Sequence, residues 1–497
     1  MSRSLYARLA RRFGRREPGL SRRQAIQASL AAAAGLLLGG CTGQGRSFAR
    51  NGKRVIIVGA GLAGLACAHE LDLAGYDVAV FEARRRVGGR VLSLGDLVDG
   101  SNVEGGAEFI GSNHPLWLAY AKRFRLDMME VSDDGDLAAP VVLDGQRLDE
   151  KQSRELYEQM DAAYRTMLAD AANVNLDEPW RTPDALTLDR RPTSDWISAV
   201  EAPALCKRAL AVELQANNGV AVELQSYLGN LAQVKGGGME RYWEESEAYR
   251  CKGGNQQLAI RLARSLGDSV KPGLPVLAIR AQADRVNVTA GDNRTYEADD
   301  VVLAVPPSIW RRLQIYPDLP SVLRVQFGSA VKYLAGLRSA FWRDQGLSPD
   351  ALTDGQVCMT WDGTDGQDAR NGAALIAFSG GPAAEAARKH PPHSVDSAYS
   401  AMLSQIYPEF PRHFLKGRFM DWPSDPYTGC GYSFPAPGEI TAVGPILRRG
   451  LGHIHFAGEH CCLPFVGYME GALQSGAALA RRLARRDGVL SAAAAAE

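Results

Sequence analysis

Apolar residues along this chain follow two different periods. Val55-Ile56-Ile57-Val58 is a short continuous apolar run that stops at Gly59, the pattern of a buried strand. Leu62, Ala66 and Leu73 then return at helical spacing, and Gly75-Tyr76 interrupts before a second strand pattern over 78–81 that ends in Glu82. Strand, helix and strand in close succession predict a βαβ unit. From 101 to 254 the period becomes mainly helical, with Leu156, Met160, Ala163 and Met167 on one face and loops at Glu178-Pro179-Trp180 and Arg191-Pro192. Strand-like runs come back at 275–280, 301–305 and 453–457, and a last helix carries Leu473, Ala477, Ala480 and Ala484 on one face. A frayed tail is expected over 491–497. The two ends resemble each other while the middle differs. The predicted fold class is therefore α/β: a Rossmann-like domain assembled from 51–107, 251–305 and 430–490, interleaved with a mixed α+β domain from 108–250 and 306–429.

The first 40 residues follow neither pattern. Residues 26–40 are Ala, Leu and Gly apart from a few positions such as Gln27 and Ser29, too short a run to span a bilayer, and an arginine-rich stretch precedes them. Residues 1–40 are thus expected to be a targeting segment outside the fold. Arg22-Arg23 resembles a twin-arginine export signal, and Leu38-Gly39-Gly40-Cys41 resembles a lipobox whose cysteine is acylated. The expectation is export by the twin-arginine machinery and a lipid anchor at Cys41 on the periplasmic side of a bacterial membrane. The competing reading is a single uncleaved N-terminal anchor.

Composition narrows the partners. With 46% hydrophobic and 23% charged residues in 497, neither disorder nor a fibre describes the chain. Its 56 basic and 56 acidic residues balance, but residues 1–40 hold eight arginines and one acid, leaving 48 basic against 55 acidic and a net of −7 for the rest. A body of that sign suits nucleic acid poorly. Beyond Cys41, the seven cysteines at 67, 206, 251, 358, 430, 461 and 462 are odd in number and scattered, which is no disulfide framework. Export in the folded state also suits a chain that takes up a cofactor before it leaves.

Gly59-Ala60-Gly61-Leu62-Ala63-Gly64 has the spacing for a dinucleotide. The first glycine makes the turn, the second lets a diphosphate approach the backbone, and the third allows helix and strand to pack closely. The helix N-terminus directs N–H groups at the phosphates. Glu82, 23 positions after Gly59, stands where a carboxylate accepts both ribose hydroxyl protons. Arg90, after the glycine pair of Arg86-Val87-Gly88-Gly89, can grip a phosphate. Near the other end, Gly467-Tyr468-Met469-Glu470-Gly471-Ala472 opens a helix whose N-terminus can stabilise negative charge on a reduced isoalloxazine.

Together these blocks resemble the flavin-containing monoamine oxidases and their relatives, the polyamine and L-amino-acid oxidases. The matching stretches are 55–64, 81–90, Gly105-Gly106-Ala107, 253–258, Ala304-Val305-Pro306-Pro307, Lys332, 422–432 and 455–476. The resemblance implies FAD along the interface of two domains, touched by Gly59, Gly61, Gly64, Glu82, Arg90, Gly106, Val276, Glu459 and Met469. It also implies three catalytic residues. Lys332 would hold a water against flavin N5, and Tyr432 and Tyr468 would flank the amine. Some relatives attach FAD through a cysteine just before the tyrosine aligned with Tyr432; Gly431 stands there and Cys430 is one place early, so noncovalent FAD is expected.

Amino-acid oxidases of the family commonly carry an arginine after the Gly-Ala block, where this chain has Glu108-Phe109-Ile110-Gly111. A Glu108 near the pocket would suit a cationic amine; a purely structural or FAD-contacting Glu108 is the counter-reading. The expected reaction is oxidative deamination of an amine with oxygen reoxidising the flavin to give hydrogen peroxide. L-amino-acid oxidation and a dehydrogenase with another acceptor are the alternatives. Further off stand a desaturase-like or protoporphyrinogen-oxidase-like flavoprotein, against which the two tyrosines argue, and a tethered flavin electron carrier. His453 and His455 share a strand face without further ligands, so no metal is expected. Cys461-Cys462 reads as packing thiols.

Overall fold

The computed structural model describes residues 4–14, 37, 51–132, 134, 136–367 and 369–490. The elements that build the site are, in chain order, helix α1 (Leu5–Phe13), strand β1 (Arg54–Val58), helix α2 (Leu62–Leu73), strand β2 (Asp77–Glu82), helices α3 (Glu150–Ala171), α4 (Ala204–Asn218) and α5 (Arg241–Glu245), strands β3 (Asp300–Leu303), β4 (Ala330–Leu337), β5 (Ala373–Gly380) and β6 (Ile454–Phe456), and helix α6 (Met469–Arg486).

Val55, Ile56 and Ile57 are fully buried because β1 is the central strand of a five-stranded parallel sheet, in the order β6, β3, β1, β2 and Val270–Pro272. A strand covered on both faces has no polar side to show, which is why its sequence is apolar without alternation. Helices α2 and α6 cover one face, packed so closely that a Cβ on Gly476 would stand 2.2 Å from the Ala63 carbonyl oxygen. A four-stranded sheet covers the other, with Ile279, Val286 and Val288 packed against Ile56, Val58 and Phe81. The three segments expected to form a Rossmann-like domain all supply strands to this layered body.

The second domain is built on a seven-stranded, mostly antiparallel sheet in which β4 and β5 are the second and third strands from one edge, paired in register so that Lys332 faces Phe378 across the ladder. All eight residues of β4 are buried. Leu156, Met160, Ala163 and Met167 form the inner face of α3, as their spacing predicts, in a core shared with α4. Two expected boundaries need correction. Gln314–Tyr316 pairs in parallel with Val276–Ala281, so the segment after 305 stays with the first domain up to that strand. Residues 4–14, set aside with the rest of 1–40, are helical and packed: Leu5, Ala7 and Leu9 lie in the core with Leu156, Tyr164 and Trp243. The expected twin-arginine pair and the lipobox through Cys41 lie outside the described residues.

His453 and His455 serve the fold. Both face Asp300, whose carboxylate accepts from Arg486 of α6 and bonds His455 Nε2 at 2.9 Å, tying β3, β6 and α6 together. Burial alone would raise the Asp300 pKa; the His455 and Arg486 bonds outweigh it and hold the carboxyl well below its ordinary range. Cys461 and Cys462 are free thiols, partly buried, pushed upward by desolvation to the point of staying protonated. Among the described residues no helix is long and apolar enough to cross a membrane.

Candidate active site

One cavity runs from the first βα turn to the seven-stranded sheet. Its near end is backbone. Gly59 adopts φ +107°, a conformation L side chains rarely take, and donates its N–H to Phe81 O at 2.8 Å, so β1 turns directly into α2. A Cβ on Gly64 would lie 2.0 Å from Gly59 O, so the helix meets the strand only without one. Gly61, at the N-cap of α2, has nothing within 4 Å of where its Cβ would be. That is the cradle a diphosphate needs: open space at the second glycine, close packing at the first and third, and unfilled N–H groups at the helix start. Glu82 ends β2 with Oε2 accepting from Ala60 N and Oε1 from Arg84 N, both at 2.8 Å, which fixes its carboxylate in the cavity wall.

Of the expected cofactor contacts, Gly59, Gly61, Glu82, Arg90, Gly106, Val276, Glu459 and Met469 line this cavity. Gly64 does not; it lies behind the turn, where its lack of a side chain lets α2 approach. Arg90 bonds Glu459 Oε1 and Gly431 O at 3.0 Å each, joining the two ends of the chain across the cavity. Cys430 points away from it, its buried Sγ taking a bond from Ser308 Oγ, and Gly431 and Tyr432 form the wall instead.

The far end is made of side chains. Lys332, Tyr432, Tyr468, Phe378 and Trp422 line it. Tyr468 is the N-cap of α6, so the first turn of that helix faces the cavity. Both tyrosine hydroxyls are tied back into the protein: Tyr432 donates to Ala216 O of α4 at 2.9 Å and Tyr468 to the Tyr242 hydroxyl at 3.3 Å. Burial, first of all, raises the pKa of both, with Tyr242 and Glu247 adding to it at Tyr468. They present neutral rings, and neither is a base. Phe378 in this wall, and Tyr242 behind it against Tyr468, are residues that the sequence did not single out. Phe378 sits in an apolar run indistinguishable from core, and Tyr242 follows a glycine run that signals only a turn.

Lys332 is buried on β4 with its ammonium directed at three oxygens: Gly106 O at 2.7 Å, Glu108 Oε2 at 2.7 Å and Glu104 O at 3.2 Å. The indole of Trp361 lies 5.2 Å away. Glu108 also meets Arg250 at 2.9 Å, and Arg250 in turn stacks over Phe109 and donates to Asp362 O. Burial would raise the Glu108 pKa, but Lys332 and Arg250 together bring it below the ordinary value. Of the two readings of Glu108, the geometry supports the structural one and not a carboxylate facing a cationic substrate: it is buried, does not line the cavity, and its charge is spent on two cations. Glu104, bonded to Ser93 Oγ and Asn255 N, is pushed up to about 7 by burial.

The model of the family described as flavin containing amine oxidoreductase matches residues 62–484. A flavin-containing amine oxidase of Danio rerio is 27% identical over 87% of this chain and 86% of its own, and an L-amino acid dehydrogenase of Synechocystis sp. is 27% identical over 86% and 94%. Among solved structures, putrescine oxidase bound to putrescine superposes with a TM-score of 0.78 at 26% identity, and cyclohexylamine oxidase from Brevibacterium oxydans with 0.79 at 25%, each covering 87% of this chain and 99% of the other.

Proposed function

Because the chain belongs to the flavin containing amine oxidoreductase family, and so is an FAD-dependent oxidoreductase acting on amines, we propose that its substrate is a primary or secondary amine with no carboxylate beside the reacting carbon and that its acceptor is molecular oxygen. For a primary amine the balance is amine plus water plus oxygen to aldehyde plus ammonia plus hydrogen peroxide. When bound, FAD would supply the redox chemistry, as the acceptor of a hydride equivalent. The chain supplies the rest.

Gly59 and Gly61 with the start of α2 would hold the diphosphate, and Glu82, braced by two backbone N–H groups, would keep lone pairs for the ribose hydroxyls. Tyr432 and Tyr468 offer ring faces and exclude water, while their own protons stay with Ala216 O and Tyr242. With no base among these rings, the amine must give up its ammonium proton before it reacts, since hydride leaves carbon only with a free nitrogen lone pair. Lys332, held by three oxygens, acts as a fixed positive charge at the wall and not as a carrier that swings a proton across it.

The preference for an amine over an amino acid rests on the fate of the cations. Of the cavity's cationic side chains among the described residues, Arg84 is bonded to Asp425 and Thr428, Arg90 to Glu459, Arg312 to Pro426 O and Lys332 to Glu108. Arg250, buried behind the wall, is also spent on Glu108. A substrate carboxylate would have to compete with Asp425, Glu459 or Glu108 for three of the four cavity cations, and Arg312 lies with Pro426 O and not beside Lys332 and the tyrosines. The similarity to the Synechocystis L-amino acid dehydrogenase favours the second reading, an amino acid oxidised with an acceptor other than oxygen. Anaerobic mixing of the holoenzyme with a panel of amines and L-amino acids, followed by peroxide measurement in air, separates the two. Bleaching by amines with peroxide supports the first. Bleaching by amino acids alone, without peroxide, replaces it with the second.

A further inference from the structure

The arginine-rich start of the chain, which the sequence presents as an address, is seated in the substrate domain. Nine residues are too few for a stable helix in water, so α1 exists because it is docked. Ser4 caps it, accepting from Ala7 N, and its hydroxyl donates to buried Glu213 of α4. Arg8 is 7% exposed, paired with Asp350 and within 3.7 Å of Asp134, and donates to Ser348 Oγ. Arg12 donates to Leu137 O at 2.7 Å, and Arg154 of α3 lies over the Phe13 ring. An arginine buried between carboxylates is the mark of an interior contact and not of a solvated leader.

Tyr6 extends the contact toward the cavity. Its hydroxyl donates to Asp161 of α3 at 2.7 Å, and its ring meets Trp243 edge-on, with centroids 5.6 Å apart. Trp243 belongs to α5, and the preceding residue, Tyr242, takes the Tyr468 hydroxyl bond and donates to Gln233. Helix α1 therefore backs the five-residue helix that carries Tyr242, and Tyr242 sets Tyr468 at the substrate wall.

We propose that α1 is a positioning element of the substrate chamber, holding Tyr242 against Tyr468, and that the working enzyme keeps its N-terminal segment attached. This rests on the chamber being the substrate site argued above. Acylation at Cys41 with removal of residues 1–40 would take the helix away, so the proposal couples any tether at this end to an uncleaved chain.

The test uses full-length holoenzyme carrying Arg8→Glu, Tyr6→Ala, or the charge exchange Arg8→Glu with Asp350→Arg. Docking is read by trypsin cleavage after Arg11 or Arg12, sites that every variant keeps, followed by mass spectrometry, which needs no substrate. Positioning is read from KM and kcat for whichever panel compound bleaches the flavin fastest, so a wrong amine assignment shows itself separately. Single variants are expected to be cleaved about tenfold faster, with KM raised about fivefold, kcat within about twofold, and both effects reversed by the exchange. Tyr6→Ala decides the matter if Arg8→Glu fails to fold. Cleavage no faster than wild type, or fast cleavage with KM unmoved, overturns the proposal. So does an intact mass showing that the enzyme recovered from its own cells begins at residue 41.

Discussion

The two ends of the cavity are made differently. The cradle is formed by residues close in sequence, 59–64 and 81–90, and works through backbone: a turn, a helix N-terminus and a carboxylate pinned by two N–H groups. The chamber draws Lys332, Phe378, Tyr432 and Tyr468 from segments far apart in the chain and works through side chains whose positions depend on neighbours behind them. A cradle of that kind fails when backbone is displaced. A chamber of this kind degrades by degrees.

The largest effect on cofactor loading should come from Gly64→Ala. The added methyl would lie 2.0 Å from Gly59 O and 3.1 Å from the Ala304 methyl, and neither is the end of a flexible side chain. Helix α2 must move off β1, costing about 1–3 kcal/mol of stability and, more to the point, spoiling the turn. FAD occupancy, read as the ratio of flavin to protein absorbance after purification, should fall at least about tenfold. Near-normal occupancy would show that the cradle does not depend on this close contact.

Glu108→Gln is next and strikes the chamber from behind. It leaves Lys332 and Arg250 buried without their common anion, a change that typically costs about 3–5 kcal/mol. FAD content should hold while the melting temperature drops. The pH dependence has a definite sign. The folded carboxyl sits below its unfolded pKa, so its stabilisation is present above the ordinary glutamate range and is lost as pH falls through the folded value. The variant should lack that share of acid sensitivity. Equal melting of both proteins across pH 3–7 would mean the triad contributes nothing net.

Within the chamber, Tyr432→Leu should lower kcat/KM for the amine about tenfold with FAD binding unchanged, since an aromatic contact is worth about 0.5–1.5 kcal/mol beyond its area. Tyr432→Phe should cost much less, about threefold or under, because the hydroxyl bonds only the Ala216 carbonyl. A phenylalanine variant as impaired as the leucine variant would assign the hydroxyl a role that its bonding does not show.

The same contrast explains what could be read from the sequence. The cradle was legible because its chemistry is local: glycine spacing and one acid at a set distance imply a turn whatever lies elsewhere. Lys332 and the two tyrosines were legible only through family resemblance, and their surroundings were not. Glu108 and Arg250 are 142 positions apart, and nothing in either neighbourhood announces the pair that removes Glu108 from the substrate's reach. Tyr242 gave no signal at all. Arg8 misled in the opposite way, since an arginine cluster ahead of an apolar run fits an export leader, yet its guanidinium is buried against Asp350. Charge runs read from sequence carry no information about the acids that fold back to meet them.

The smallest effect on activity is expected where cradle and chamber meet. Glu470, in the first turn of α6, accepts from Leu116 N and Trp117 N at 2.9 Å each, and Gln474 also donates to it. It is wholly buried, and burial pushes its carboxyl up to about 7 against those bonds. A carboxyl raised in the folded state keeps its proton where the unfolded chain has released it. Its contribution to stability therefore declines as pH climbs from about 4.5 to about 7 and is flat beyond. Glu470→Gln removes that titration. It also turns an amide N–H toward one backbone N–H, so its absolute stability at a single pH is not informative. The slope is: unfolding followed by urea from pH 4.5 to 8 should show the variant gaining on the wild type across the first 2.5 units, by up to about 3 kcal/mol, then running parallel. A difference independent of pH would mean that the three donors outweigh burial and that Glu470 is ionised throughout, placing a negative charge beneath the helix start that faces the cavity.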